Sequence, residues 1–192
     1  MKKVKSAIFL FIYIVERAVR EKLLYVDAHY ANSRGEIYIH GRERIKMIKS
    51  ELESCFEITF MEDLTPLVMD VLLRVSKNGE RFDALLTHFP YDKAEVVRRG
   101  NDDMEAFYRR VYGNSLQIIK RIRENHCSLP IVVYTGSSTG EKADPSTTVV
   151  CRILADSGAD DFLFKSDDGF ADAKKIRCAL EKAIQIRSTP AG

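Results

Sequence analysis

The stretch from Leu129 to Ser166 constrains the fold of this chain most strongly, because it contains two apolar runs separated by a helical pattern. The first run, residues 131–134, is β-branched and aromatic, and it is too apolar for a surface strand. The second run, residues 161–164, ends at Lys165. Neighbouring parallel strands bring their carboxyl ends to one edge of a sheet, where α/β proteins bind ligands. The pattern therefore predicts that Thr135 and Lys165 lie at one edge and form an anion-binding pair.

The rest of the chain repeats this alternation of strands and helices. Strands are predicted at residues 36–40, 56–60, 82–87, 130–134 and 161–164. Helices are predicted at 42–54, from 63 or 65 to 76, at 115–124, from 144 or 146 to 157, and at 170–186. Alternating elements of this kind predict a parallel sheet with helices on both faces. We therefore predict one α/β domain over residues 36–187, built on a doubly wound (βα)5 parallel sheet, and a polar tail at 188–192.

The amino-terminal segment, residues 1–35, begins with lysines and continues with an apolar run at residues 7–15. This run is too short for a membrane-spanning helix, which needs about 20 apolar residues. The spacing instead predicts an extra amphipathic helix over residues 6–26, followed by a polar hinge at 31–35. We expect a cytoplasmic protein whose apolar stripe contacts a second copy of the chain, giving a homodimer, or another protein. The stripe consists of Ile8, Phe11, Ile12, Val15 and Val19.

Net charge and cysteine content narrow the function classes. The chain has 192 residues, a formal net charge of +2 and 30% charged residues. A domain built to bind nucleic acid usually has a concentrated basic excess, so an obligatory nucleic-acid partner is not expected. The four cysteines are scattered and form no CxxC pair, which predicts reduced, buried thiols and no zinc site. No metal or cofactor is predicted.

The residues after the fourth and fifth predicted strands resemble those of the receiver domains of bacterial response regulators. In that family the fourth strand ends in Thr or Ser, as at Thr135, and the fifth ends in Lys after a Gly-Ala-Asp-type turn, as at Lys165. An aromatic switch residue lies three positions before the Lys, where this chain has Phe162. The resemblance implies a flavodoxin-like, CheY-like fold over residues 36–187 and a role in two-component signal transduction.

The phosphorylation site of the family is predicted to be degenerate. Receivers hold Mg²⁺ with an acidic pair after the first strand and accept the phosphoryl group on an aspartate that ends the third. Here His40 and Gly41 follow the first predicted strand, and Thr87 or His88 takes the acceptor position. Without that aspartate, Lys165 needs another acceptor, since an unpaired buried ammonium is costly. The degenerate positions are His40, Gly41, Thr87, His88, Thr135 and Lys165.

Two alternatives concern the predicted histidines. His40 and His88 would lie at the ends of neighbouring strands, where they could form a two-histidine metal site or carry phosphate as phosphohistidine. A transition-metal site normally needs a third or fourth ligand, and the spacing supplies none. The preferred interpretation is therefore that the two imidazoles fill the space of the missing Mg²⁺ cluster.

Residues 91–113 form an insertion where the family has a short loop. Helical spacing of Met104, Phe107, Tyr108 and Val111 predicts a helix in it. Its arginines are nearly cancelled by acidic residues, which favours a solvated or partner-binding helix over a nucleic-acid element.

Three functions follow in order of preference. The first is a stand-alone pseudo-receiver, not an enzyme, which regulates by protein–protein contacts and without phosphorylation; the polar tail predicts no output domain after it. The second is a small anionic-ligand binder or enzyme that uses His40, His88, Thr135 and Lys165. The third is a nucleic-acid binder that uses the arginines of the insertion.

Overall fold

Five parallel strands form a single sheet in the computed structural model, which describes residues 20–27, 36–61, 81–88, 103–126, 128–135, 145–166 and 169–188. The strands are β1 (Glu21–Val26), β2 (Phe56–Met61), β3 (Ala84–His88), β4 (Ile131–Thr135) and β5 (Asp161–Phe164), in the order β2-β1-β3-β4-β5. The described helices are α1 (Glu36–Leu52), α2 (Met104–Val111), α3 (Gly113–Asn125), α4 (Pro145–Ser157) and α5 (Gly169–Ser188). The predicted doubly wound α/β architecture is confirmed: the fold is flavodoxin-like.

Helices cover both faces of the sheet. On one face, α1 and α5 pack on side chains such as Leu23, Leu86 and Val132, all with 0% exposure. On the other face, α2, α3 and α4 pack on Leu24, Leu85 and Val133. Consecutive strand residues are buried against opposite helical layers, so all five residues of β3 and of β4 are buried. This explains why both strands are apolar except at their carboxyl ends.

The prediction for the amino-terminal part of the sheet is wrong. Residues 36–40, predicted as the first strand, lie in α1, and residues 21–26, predicted as the end of a helix, form β1. β1 lies between β2 and β3, and its last four residues are buried. A strand buried on both faces has no alternation of polar and apolar residues, so its sequence also fits an apolar helical stripe. The sheet therefore begins before the predicted domain boundary at residue 36.

Other predicted elements agree with the structure to within a few residues. β2, β4, β5, α3, α4 and α5 lie where the sequence patterns predict them, and β5 covers residues 161–164 as predicted. The predicted second helix, the hinge at 31–35 and the stripe of Ile8, Phe11, Ile12, Val15 and Val19 lie outside the described residues. These three predictions therefore stay predictions.

The insertion contains the predicted helix, α2, but this helix is not simply solvated. Val111 and Tyr112 are only 4% and 6% exposed and belong to the core on the α3–α4 side. Arg109 forms ion pairs with Glu105, at 2.9 Å, and with Asp156 of α4, at 2.6 Å. α2 therefore packs against α4 and extends the core.

The described cysteines are free, but Cys55 and Cys151 are half-buried and Cys178 is exposed, so the predicted burial of the thiols is wrong for them.

Among the described helices, none has the length and apolar character that crossing a membrane requires.

Candidate functional site at the carboxyl edge of the sheet

Polar residues follow or end four neighbouring strands at the carboxyl edge of the sheet, which we call the rim. Asp27 follows β1, Thr87 and His88 end β3, Thr135 ends β4, and Lys165 follows β5. The strand register brings these ends level, because Val26 pairs with Thr87 and His88 pairs with Tyr134. At the other end of the row, Thr135 pairs with Phe164, and the Lys165 amide donates to the Thr135 carbonyl at 2.8 Å. Four of the six predicted site positions therefore lie together.

His40 and Gly41 do not join them. Both lie within α1, so they do not follow a strand, and the expected histidine pair at neighbouring strand ends is wrong. The residue that follows β1 is Asp27, a carboxylate with 2% exposure. The sequence analysis missed it because it placed the first strand too late in the chain. An acidic residue directly after the apolar run of β1 was the signal that identifies it.

Asp27 lies in a polar environment within the sheet. Its backbone N–H donates to the Met61 carbonyl at 3.0 Å, and its carboxylate accepts a 3.3 Å hydrogen bond from the Tyr25 hydroxyl. Burial and the nearby negative charge of Asp27 raise the pKa of Tyr25 well above its ordinary value. The resemblance to receivers leads us to expect two acidic residues after the first strand. Asp27 is one such residue, and the residue that follows it is Ala28.

No carboxylate ends β3. Thr87 and His88 are 0% and 3% exposed, and the Thr87 hydroxyl donates to the His88 carbonyl at 3.0 Å. Since side chains alternate along a strand, Thr87 shares the α2–α4 side with Leu85, and His88 shares the α1–α5 side with Leu86. Neither candidate for the acceptor position is an acidic residue.

Alternation also separates the predicted pair of Thr135 and Lys165. Thr135 shares the side of Val133, which lies towards α2–α4, whereas the Lys165 ammonium lies 5.3 Å from the ring centroid of Tyr134, towards α1–α5. Thr135 itself is 2% exposed. The two residues meet through the backbone, but their side chains lie on different faces of the sheet.

Lys165 is the most strongly perturbed cation at the rim. Its pKa is lowered to about 8, chiefly by burial and also by the charge of Arg44, while the carboxylates of Asp27 and Asp172 act in the opposite direction. These two carboxylates are the partners that the sequence analysis required but did not identify. The ammonium therefore has negative charges nearby, and burial outweighs their effect.

A network below Lys165 connects α1, β4, the segment after β5 and α5. The Asp172 carboxylate, 1% exposed, accepts hydrogen bonds from the Tyr134 hydroxyl at 2.8 Å, the Ser166 amide at 2.9 Å and the Ser166 hydroxyl at 2.6 Å. Arg44 forms a 2.9 Å ion pair with Asp172 and donates to the Ser166 carbonyl at 2.7 Å and to the Tyr134 hydroxyl at 3.1 Å. Burial is the main cause that raises the pKa of Tyr134. Sequence reasoning missed this network, because its members are far apart in the chain.

Phe162, the predicted switch aromatic, is half-buried at the α2–α4 face of β5. Its ring contacts that of Phe164 edge-on, with 6.3 Å between centroids. It therefore lies on the opposite face of the sheet from the Arg44–Asp172 network.

The charges at the α1–α5 side of the rim balance: Asp27 and Asp172 face Lys165 and Arg44. Among the described residues, no group of three acidic, histidine or cysteine side chains is arranged to hold a metal ion. The described part of the rim therefore has two cations paired with two carboxylates on its α1–α5 side, and no carboxylate at the end of β3.

The fold places this protein among receiver-like α/β domains. No family model and no curated protein matches the sequence. The structure is similar to a response regulator receiver domain from Clostridium thermocellum, at 15% identity and a TM-score of 0.50, over 87% of this chain and 96% of that one. Similar chains include a CheY-like receiver domain from Methanospirillum hungatei, at 12% identity and a TM-score of 0.46, over 88% and 99%. Another is the receiver domain of NtrX from Brucella abortus, at 17% identity and 0.45, over 85% and 98%. The first of these similarities, at a TM-score of 0.50 and 15% identity, shows a receiver-like fold alone.

Proposed function

We propose that this protein is a pseudo-receiver: a regulatory module of the response regulator type that acts through protein–protein contacts, without phosphorylation of an aspartate. The observation that carries the proposal is the end of β3, where Thr87 and His88 are buried in place of a carboxylate. A threonine cannot form the acyl phosphate that an aspartate forms, and the His88 side chain has little exposed surface for a phosphoryl donor. A cytoplasmic location and membership of a two-component system are part of the proposal.

The balance of charge at the rim supports the same function. In a receiver with several rim carboxylates, a divalent cation neutralises their repulsion. Here Lys165 and Arg44 already neutralise Asp27 and Asp172. We therefore expect the rim to keep one arrangement without Mg²⁺ and without a phosphoryl group.

The proposal is tested by incubating the full chain with acetyl phosphate and Mg²⁺ and measuring the intact mass. The expected result is an unchanged mass, with a receiver that carries the acceptor aspartate as the positive control. His88→Asp tests whether the missing carboxylate is the cause, since it places a carboxylate at the end of β3 on the α1–α5 side, the side on which the Lys165 ammonium also lies. A stable adduct on the wild-type chain that maps to the rim would overturn the proposal.

A second candidate function is binding of a small anion at the rim, and Lys165 is the observation that favours it. Its ammonium lies 5.3 Å from the Tyr134 ring centroid and its side chain is only partly exposed, so an anion that pairs with it would be partly desolvated. Titration with inorganic phosphate, followed by amide shifts of residues 27, 88, 135 and 165, tests this. Shifts that are saturable and are lost in Lys165→Met support an anion site, whereas unchanged spectra exclude it at the phosphate concentrations used.

The arginines of the insertion support nucleic-acid binding less strongly than Lys165 supports anion binding. Arg109 forms ion pairs with Glu105 and Asp156, and the Arg110 guanidinium lies 5.7 Å from the Phe107 ring centroid. Charges paired within the domain add little to binding of a phosphate backbone. We therefore retain protein contacts, including a homodimer, as the proposed mode of action.

A further inference from the structure

Asp172 and the three residues that donate hydrogen bonds to its carboxylate form a compact cluster of four that we call the latch: Arg44, Tyr134, Ser166 and Asp172. They come from α1, β4, the segment after β5 and α5, so the latch joins both helices of one face to the carboxyl edge of the sheet. Ser166 is held from both sides, because its amide donates to Asp172 at 2.9 Å and its carbonyl accepts from Arg44 at 2.7 Å. Lys165 is the residue directly before it.

The latch is strong for physical reasons. A carboxylate with 1% exposure is costly to bury unless cations and hydrogen-bond donors compensate for the lost water. Asp172 has both, since it receives the Arg44 guanidinium, the Tyr134 and Ser166 hydroxyls and the Ser166 amide. Charge-assisted hydrogen bonds of this kind are about twice as strong as neutral ones. The backbone at Ser166 is therefore fixed, and the adjacent backbone of Lys165, which carries the lysine side chain, is fixed with it.

Lys165 is also within electrostatic reach of latch charges. Asp172 stabilises its ammonium form and Arg44 destabilises it, while Asp27 stabilises it from the other side. The ammonium lies over the ring of Tyr134, whose hydroxyl belongs to the latch. The latch thus fixes the backbone next to Lys165, and its two charges act on the pKa of the ammonium in addition to burial.

We propose that the opposite charges of Arg44 and Asp172, which Ser166 and Tyr134 connect to Lys165, set the charge environment of Lys165 at the rim, and that through them the α1–α5 face is coupled to the rim. This rests on the proposed function only in so far as it assigns a regulatory use to the rim. Arg44 is the accessible end of the device, with 23% of its side chain exposed, whereas Asp172 is inaccessible. A protein that contacts α1 beside Arg44 therefore changes the environment of Lys165 without touching the rim.

The proposal predicts opposite effects of removing the two charges. In Asp172→Asn the ammonium loses a stabilising negative charge, so the pKa of Lys165 falls; in Arg44→Met it loses a repulsive positive charge, so the pKa rises. If the latch only anchored the backbone, either substitution would release Lys165 towards water. Its pKa would then rise towards its ordinary value in both variants, so the direction in Asp172→Asn separates the two roles.

The experiment is an NMR titration of the lysine ε-methylene signals in the full chain, with Lys165 assigned through Lys165→Arg. We expect the midpoint of Lys165 to fall by about half a pH unit or more in Asp172→Asn and to rise by a similar amount in Arg44→Met. Lys174→Met removes an exposed lysine from α5, the helix that contains Asp172. It is the matched control and should leave the midpoint of Lys165 unchanged. A rise in Asp172→Asn, or midpoints unchanged in both latch variants, overturns the proposal.

Arg44→Lys keeps the test decisive if Asp172→Asn does not fold. It preserves the positive charge but not the hydrogen bonds that Nη1 of Arg44 donates to Tyr134, Ser166 and Asp172. An effect of charge therefore predicts a midpoint closer to wild type than that of Arg44→Met. A midpoint in Arg44→Lys that is as high as in Arg44→Met contradicts the proposal. Neither result depends on phosphorylation or partner binding, which the mass measurement and the solution mass report separately.

Discussion

Arg123 of α3 and Asp160, the residue before β5, form an ion pair of 2.9 Å at the amino-terminal edge of the sheet. The side chains are only 18% and 12% exposed. Arg123 also donates to the carbonyls of Gly158, at 2.7 Å, and Leu129, at 2.7 Å. Asp160 in turn accepts from the Ile131 amide at 2.7 Å. The Gly-Ala-Asp turn is therefore a structural joint between α3, β4 and β5, on the opposite edge from the rim.

Removing Arg123 should destabilise the domain considerably. In Arg123→Ala the Asp160 carboxylate loses one of its two guanidinium partners, since Arg187 still contacts it, and two carbonyls lose their donors. These losses typically cost about 2 kcal/mol of unfolding free energy. Urea denaturation monitored by circular dichroism measures this change. Arg121→Ala, an exposed position of the same helix, is the control and should change stability by less than about 0.5 kcal/mol. Equal stabilities of the two variants would contradict the role of the joint.

Gly158 should not tolerate a side chain. Its φ of +90° is in the region that L side chains rarely adopt, and an added Cβ would lie 3.3 Å from Cγ of Arg123. Gly158→Ala should therefore lower the free energy of unfolding by about 1 to 2 kcal/mol. Gly113→Ala is the matched control, since an added Cβ at the start of α3 meets nothing within 4 Å. In that helical position alanine should be neutral or stabilise by up to about 1 kcal/mol, as thermal denaturation of both variants can show.

Lys165 should make stability depend on pH in the alkaline range. Its folded pKa, about 8, is below its ordinary value of 10.5, so the unfolded chain binds more protons between these two pH values. Stability attributable to Lys165 therefore rises as the pH increases through this window, since deprotonation removes the cost of the buried charge. Relative to Lys165→Met, the wild-type chain should gain on the order of 1 to 3 kcal/mol across the window. Parallel pH dependences of the two proteins would contradict the shift.

Truncation of the amino-terminal segment before β1 and truncation after β1 should affect folding differently. A shortened chain that starts at Gly35 lacks β1, which pairs with both β2 and β3, so it should not fold cooperatively. A chain that starts at Arg20 keeps β1 and should fold. Its solution mass by light scattering, beside that of the full chain, tests the predicted interface of residues 8–19. A dimeric full chain and a monomeric shortened chain support that interface, and equal masses contradict it.

The helix of the insertion should contribute to stability through Val111. This side chain is 4% exposed in the core of the α2–α4 side, so Val111→Ala should cost about 1 to 3 kcal/mol. Met104→Ala, at the exposed start of the same helix, should have little effect. If thermal denaturation gives the two variants the same stability, α2 does not contribute to the core.

The sequence by itself determined the elements whose character is local. The short β-branched run of β4, the short apolar run of residues 161–164 and the amphipathic spacing of α3 each identify one element. The two runs have the length and the β-branched or aromatic content of strands, whereas α3 places apolar side chains at helical spacing. The polar residues at Thr135 and Lys165 were identified in the same way. They follow apolar strands, and parallel strands carry their carboxyl ends to one edge.

Only the tertiary structure decided which of two apolar segments is the first strand, and what surrounds Lys165. Residues 21–26 and 36–40 both fit a strand or a helix locally. The pairing of β1 between β2 and β3 shows that residues 21–26 are the strand. Asp27 becomes a rim residue only through that choice. Arg44 and Asp172 are 128 positions apart, and no local pattern records their ion pair. Burial of a charge is compensated by whichever partners the fold brings near, so such partners are a property of packing and not of sequence spacing.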